Sequence, residues 1–316
     1  MADKTTKSIE LQYRRRRAFS TGLWNIFRFL IIFGLSFVIL YPLIYMLSCS
    51  FRDRTDMNDP TVMWIPRHYT LDVIKQTAHA MNFGKTLTNT LVLNIGCSVV
   101  QVFACSITGY GFARFNFRGK KILFIIAILT IIVPVQVVSL PLYEQFRFFG
   151  IKGIFTLNLT NTMACMYLPA AMGCGIRSGL MILIFRQFFR GLPKELEDAA
   201  YLDGCGPFGT FWRVMVPNAK SSFLTVFLFS VVFYWNDYYV SSTFFTENNT
   251  IALMLKNLNT QLALEIFNDA TVQISPREQI VWLESGCLIS IAPMLVMYVL
   301  LQKYFTEGIE RSGIVG

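Results

Sequence analysis

The sequence is poor in side chains that do chemistry. Only two histidines occur, His68 and His79, both between the same two apolar runs, so a metal site or histidine-based catalytic centre has little to build on. The seven cysteines (Cys49, Cys97, Cys105, Cys165, Cys174, Cys205, Cys287) include no Cys-x-x-Cys pair. Most lie inside apolar runs, as small buried residues do, and free thiols are expected. No Gly-x-x-x-x-Gly-Lys-Ser/Thr stretch is present, so the chain lacks the glycine loop that would cradle the phosphates of ATP. Charge is also scarce, with Asp, Glu, Lys and Arg at 15% of 316 residues. Neither metal nor cofactor is expected.

What the sequence has in quantity is apolar length. Hydrophobic residues make up 54% and aromatic ones 15%, with a mean hydropathy of +0.48, too apolar for an ordinary soluble domain. A hydrocarbon core of about 30 Å needs about 20 apolar residues at ~1.5 Å rise each. Six windows reach that length, Trp24 to Ser48, Thr86 to Tyr110, Ile122 to Leu140, Met163 to Phe185, Phe223 to Phe245 and Ile280 to Leu301. The expected fold is all-α, a polytopic membrane protein with six transmembrane helices. No small-residue cleavage pattern follows the first window, so it reads as a retained span and not a signal peptide.

Basic residues near span ends stay on the cytoplasmic side. Arg14 to Arg17, Arg114, Arg118, Lys120, Lys121, Arg186, Arg190, Lys194, Arg213, Lys220, Lys303 and Arg311 all fall on one side of a six-span path. The opposite loops carry fewer over similar length. Both termini are therefore expected in the cytoplasm, with an N-terminal tail over 1–23, a transmembrane domain over 24–305 and a C-terminal tail over 306–316. The net charge of +9 follows from this scatter at span ends, whereas a nucleic-acid binder gathers its bases on one face. Arg14 to Arg17 read as a retention signal, with a grip on anionic membrane lipid as the second reading.

The longest stretch that is neither span nor simple loop is Gly191 to Ser222, GLPKELEDAAYLDGCGPFGTFWRVMVPNAKSS. Pro193 suits a first helical turn, and Glu195, Glu197 and Asp198 place favourable negative charge there. Gly204, Gly206 and Pro207 break this helix. Phe208, Phe211, Trp212, Met215 and Val216 then recur at helical spacing until Pro217. The expectation is a helix, a glycine hinge and a second helix, on the cytoplasmic side between spans four and five.

This stretch resembles the EAA loop of the membrane subunits of bacterial ABC importers. Asp198, Ala199 and Ala200 occupy the EAA positions, Gly204 follows three residues later, and Val214 to Pro217 close the motif after nine more. Asp198 stands where the family usually has Glu, which keeps the charge and shortens the reach. FRQFFRGLPKELEDAAYLDG resembles the maltose-type second permease subunit of the sugar branch. WIPRHYTLDVI (Trp64 to Ile74), IIVPVQVVSLPLYEQF (Ile131 to Phe146), WND (Trp235 to Asp237) and QKYFTEGI (Gln302 to Ile309) follow in family order.

The resemblance implies a type I importer permease in the bacterial cytoplasmic membrane, a transport subunit and not an enzyme. It implies a second, different permease subunit, an ABC ATPase dimer that hydrolyses the ATP, an extracytoplasmic solute-binding protein and a carbohydrate substrate, an oligosaccharide, whose identity the sequence does not give because selection is largely delegated to the binding protein. Coupling to the ATPase falls to Glu195, Asp198, Ala199, Ala200, Asp203, Gly204, Phe208 and Pro217. Leu196, Leu202, Phe208 and Trp212 offer apolar burial. ERSGIVG at the C-terminus departs from the family's usual basic ending. The same architecture importing a non-sugar solute such as glycerol phosphate is one alternative. An ion-driven carrier is another, but it would need paired intramembrane ionisable groups or inverted repeats. An enzyme would need a clustered catalytic set.

Some polar residues fall inside the windows. Asn89, Asn94, Gln101 and Thr108 in the second must find partners and are expected to face other helices. Pro134 in the third suggests a kink, with the span stopping at Pro141. Arg177 in the fourth marks either a pathway position or a snorkelling or paired residue. Trp235, Asn236 and Asp237 late in the fifth suit either sugar contact or polar capping. Trp64, Arg67 and Tyr69 are candidate contacts for the binding protein, with interfacial anchoring of the aromatics as the rival reading.

Overall fold

The computed structural model describes residues 2–151, 154–246, 250–269 and 274–313. Among the described residues its regular elements are helices, apart from two three-residue strands. The chain divides into two compact units, one of residues 1–74 with 275–288 and the other of residues 75–274 with 289–316.

In the first unit, α1 (Ala2–Ser50) is one uninterrupted helix, so the backbone expected as a tail over 1–23 is already helical from Ala2. Its Thr21–Ser50 portion contains an 18-residue window with a mean hydropathy of 2.4, none of which is buried within the chain, whereas Ser48, Cys49 and Ser50 at its end are buried. Phe29, Ile32 and Phe33 point outward, as a helix solvated by lipid or by another subunit requires. Trp64 lies edge-on to Tyr41 of α1 at 4.7 Å and tilted to Phe37 at 6.3 Å. This packing anchors the ring.

The segment after α1 folds on one buried carboxylate. Asp56, in α2 (Arg54–Asn58) and 2% exposed, accepts from the amides of Arg67 at 2.7 Å and His68 at 2.8 Å. The His68 ring Nδ1 lies 3.0 Å from its other oxygen. Burial alone pushes this carboxyl up, but the His68 and Arg67 donors outweigh it and hold it below the ordinary carboxylate range. A depressed carboxylate contributes stability that is complete above its unfolded value and lost only as pH falls through the lower folded one. Acidification from pH 7 to 5 is therefore expected to leave this loop closed. Asp56→Asn removes charge-assisted bonds and is expected to loosen it by about 2 kcal/mol, read as faster proteolysis between residues 51 and 70. Equal cleavage of wild type at pH 5 and of the variant at pH 7 would contradict this account.

The second unit contains α3's C-terminal end (α3 spans Asp72–Ala80) and is built around α4 (Phe83–Arg114). Asn94 and Gln101 of α4 behave as expected of groups excluded from lipid. Asn94 Nδ2 donates to Val231 O at 2.9 Å, and Gln101 Nε2 donates to Ile176 O at 2.7 Å while its Oε1 accepts from Tyr234 at 2.5 Å. Thr108 instead bonds back to Ala104 O of its own helix at 2.9 Å. Gly109 is where α4 crosses α8 (Ser178–Gly191). A Cβ there would lie 2.6 Å from Phe185 Cβ and 3.0 Å from Arg186 N.

The third apolar window is two helices, α5 (Lys120–Ile132) and α6 (Val135–Arg147), bent by 106° at Val133 and Pro134. The kink at Pro134 is present. The expected stop at Pro141 is not, because α6 carries Pro141 internally and continues to Arg147. Strands β1 (Phe149–Ile151) and β2 (Phe155–Leu157) pair antiparallel. The fourth window is also divided, into α7 (Ala164–Ala171) and α8, with Gly173 at φ +68 and Arg177 at φ +57 between them. Among the described residues, three helices are long and apolar enough to cross a membrane, or up to five if each bent pair is one span.

Candidate functional site: the helical elbow at 191–222

The elbow opens with α9 (Glu195–Leu202). Its end is a glycine cap of the Schellman type. Gly204 adopts φ +80, its N–H bonds Tyr201 O at 3.0 Å, and the Cys205 N–H reaches back to Ala200 O at 2.9 Å. Pro207 then starts α10 (Pro207–Thr210) at a first-turn position, where its missing N–H costs nothing. A π-helical turn over Phe211–Met215 and α11 (Val216–Asn218) follow. The chain bends by 82° into α12 (Lys220–Trp235). The helix, glycine hinge and second helix are thus present. Pro217 lies within α11 and does not close the preceding helix by itself.

One face of the elbow is buried. Phe211 and Met215 join Phe185, Phe189 and Tyr110 in an apolar core, with Tyr110 and Phe211 ring centroids 5.2 Å apart. The other face is open, with Leu202 89% and Phe208 68% exposed and Tyr201 and Trp212 partly so. Glu195, Asp198, Ala199, Asp203, Gly204 and Pro217 are exposed, while Ala200 is buried. Ala200 therefore contributes packing, and the surface is formed by its neighbours in the motif.

The residue that locks the elbow was not singled out by the sequence. Glu197 is 7% exposed, and its Oε2 lies 3.2 Å from Arg114 Nε at the end of α4. Its Oε1 accepts from Tyr110 at 2.8 Å, and Arg114 also donates to Leu192 O at 2.6 Å. Two consecutive carboxylates thus part ways: Glu197 turns inward to an ion pair, and Asp198 turns out to solvent. The signal was a first turn with three acids, read only as helix-dipole complementarity. Identifying the inward one requires knowing that Tyr110 and Arg114, four apart on α4, face this turn.

The remaining candidates lie apart from the elbow. Arg177 sits in the break before α8, exposed, with Nη1 3.5 Å from Ile131 O. Trp235 ends α12, and the exposed Asn236 donates to Val232 O at 2.9 Å. Asp237 accepts from Val240 N at 3.2 Å and from Ser241 N and Oγ at 2.9 Å each. It therefore caps α13 (Tyr239–Phe244), which explains why the fifth window breaks after Trp235. Of the two readings open for Asp237, polar capping is the one its contacts satisfy. A separate cavity of about 500 Å³ lies at the start of α4, lined by His79, Lys85, Asn89, Gln261 and Glu265 among others.

A protein-family profile described as "Binding-protein-dependent transport system inner membrane component" matches residues 102–311. The "Probable ABC transporter permease protein YurM" of Bacillus subtilis (strain 168) is 27% identical over 98% of this chain and 94% of its own length. The "Arabinooligosaccharides transport system permease protein AraQ" of Halalkalibacterium halodurans is 26% identical over 89% and 93% respectively. A chain of a crystal structure titled "Crystal structure of a bacterial ABC transporter involved in the import of the acidic polysaccharide alginate" superposes with a TM-score of 0.72, at 21% identity, over 90% of this chain and 98% of that one. The profile spans most of the sequence, elbow included, so the chain belongs to the inner membrane components of binding-protein-dependent transport systems, permease subunits whose ATP hydrolysis is performed by a separate ATPase.

Proposed function

We propose that this chain forms half of the translocation pathway of an ATP-driven importer for carbohydrates, oligosaccharides in particular. In this reading it crosses the membrane six times with both termini in the cytoplasm. It pairs with a second, different permease subunit, receives solute from an extracytoplasmic binding protein, and couples to an ATPase dimer through the elbow. The observation that supports the coupling role is an apolar tip on a locked base. Leu202 and Phe208 stand exposed at the hinge, while Glu197 fixes the same short helix to α4 through Arg114 and Tyr110. A rigid projection with apolar ends suits a groove on another protein, and movement imposed on it passes into α8 and α12 on either side. Glu195, Asp198, Ala199, Asp203 and Gly204 form the polar and narrow part of that contact, and Ala200 and Pro217 shape the backbone beneath it. The substrate reading draws on AraQ and the alginate importer, whose names specify carbohydrates. Arg177, Trp235 and Asn236 are the proposed pathway positions.

Gly204→Asp tests the coupling role. It forces a Cβ into a left-handed backbone position and puts an acid on the docking surface, a backbone cost of about 1 kcal/mol plus the lost contact. The expected result is a normally inserted subunit with uptake and substrate-stimulated ATPase activity abolished, and Leu202→Asp is expected to do the same without touching the turn. Wild-type uptake in both variants would refute the coupling role. Screening the cognate binding protein against mono- and oligosaccharides and glycerol phosphate tests the substrate class separately.

A further inference from the structure

We propose that Lys120, Arg186 and Arg190 form a binding site for the phosphate headgroup of an anionic membrane lipid, one that clasps α5 to α8. The Arg186 guanidinium carbon lies 4.0 Å from the centroid of the Phe124 ring of α5. Lys120 is one turn before Phe124 on α5, and Arg190 one turn after Arg186 on α8, so the three cations share this crossing. Both guanidiniums are close enough to act electrostatically on the Lys120 ammonium.

No carboxylate lies within ion-pair distance of these cations among the described residues, in contrast to Arg114 nearby, which has Glu197. The Nε of Arg186 is fully buried and has no hydrogen-bond partner. Lys120 has one, the Phe115 carbonyl at 2.7 Å, which leaves two of its three N–H donors. Three cations gathered at one helix crossing with no carboxylate among them favour an anion with several acceptor oxygens. A phosphate monoanion or diester matches that demand.

The choice of a lipid over free phosphate comes from the surface beside the cations. Leu123 is 50% and Ile126 52% exposed on α5, within two turns of Lys120. A molecule with a phosphate at one end and acyl chains at the other would satisfy both the charge and the apolar flank. Cation–π contact with Phe124 holds Arg186 in place for this role. The site is distinct from the elbow surface and does not depend on the proposed coupling role. It would fix the packing of the helix that leads into the elbow.

The test uses the full chain assembled with its transporter subunits, analysed by native mass spectrometry after titration with phosphatidylglycerol, with phosphatidylcholine of the same acyl chains, and with inorganic phosphate. The wild type is expected to retain one more phosphatidylglycerol than the Lys120→Gln/Arg186→Gln/Arg190→Gln variant, and each single substitution to weaken that binding about fivefold. Lys220→Gln serves as a control at an exposed cation elsewhere, and Arg190→Lys should keep most of the binding. Equal phosphatidylglycerol retention by wild type and triple variant overturns the site. Equal retention of phosphatidylcholine, or full competition by inorganic phosphate, overturns the assignment to an anionic lipid. If the triple variant fails to assemble, the single substitutions carry the test.

Discussion

Glu197→Ala is expected to loosen the base of the elbow by about 3–5 kcal/mol, because it leaves the Arg114 guanidinium buried without its carboxylate. Arg114 and Glu197 side chains are 7% and 9% exposed, so water cannot compensate as it would at a surface pair. Tyr110 would lose its acceptor at the same time. The expected result is an inserted subunit whose residues 191–222 are cut faster by protease and whose uptake is lost. Glu197→Gln, which keeps an acceptor for Tyr110, is expected to lie between wild type and Glu197→Ala. The double variant Arg114→Met/Glu197→Leu is expected to recover much of the protease resistance, since an apolar pair of similar volume removes both charges. Unchanged proteolysis and uptake in Glu197→Ala would show that the ion pair does not hold the elbow.

The second large effect concerns Gly109. Even the methyl of Gly109→Ala meets Phe185 Cβ at 2.6 Å and the Arg186 amide at 3.0 Å, and backbone atoms cannot swing aside as a flexible side chain can. A cost of about 1–3 kcal/mol is expected for alanine, and for Gly109→Leu, failure of α4 to pack on α8 and degradation of the subunit. Gly111, two residues on, has nothing within 4 Å of its would-be Cβ. Gly111→Ala is therefore expected to be neutral or to stabilise by up to about 1 kcal/mol through helix propensity. Thermal unfolding of the two alanine variants in detergent separates these outcomes. Equal midpoints would show that the close crossing at Gly109 is not a constraint.

Much of the architecture could be read from hydropathy and punctuation. The elbow's helix, hinge and helix follow from Gly204, Gly206 and Pro207, whose conformational demands are local and therefore visible in sequence. The same holds for the kink at Pro134. Asn94 and Gln101 were expected to bond other helices because lipid offers them nothing, and they do. What stayed hidden depends on contacts between distant segments. Nothing local distinguishes Glu197 from Asp198, or marks Gly109 as the crossing and Gly111 as free. The divided fourth and fifth windows were missed for a related reason. Average hydropathy does not register Asp237 capping a new helix, or Gly173 and Arg177 turning left-handed, when the flanking residues are apolar.

The bend at Pro134 has an effect on its surroundings. Proline supplies no N–H to the carbonyl four residues before it, at Thr130, and the abrupt change of direction draws the Val135 amide away from Ile131. Ile131 O is the atom that Arg177 approaches, and Arg177 itself stands where a second helix is interrupted. Two discontinuities far apart in the chain therefore meet, and an uncovered peptide oxygen on one side faces a guanidinium on the other. Hydrocarbon cannot solvate either group, so the guanidinium and the carbonyl serve each other at this point, and removing the Arg177 side chain would strand an acceptor on the α5 side.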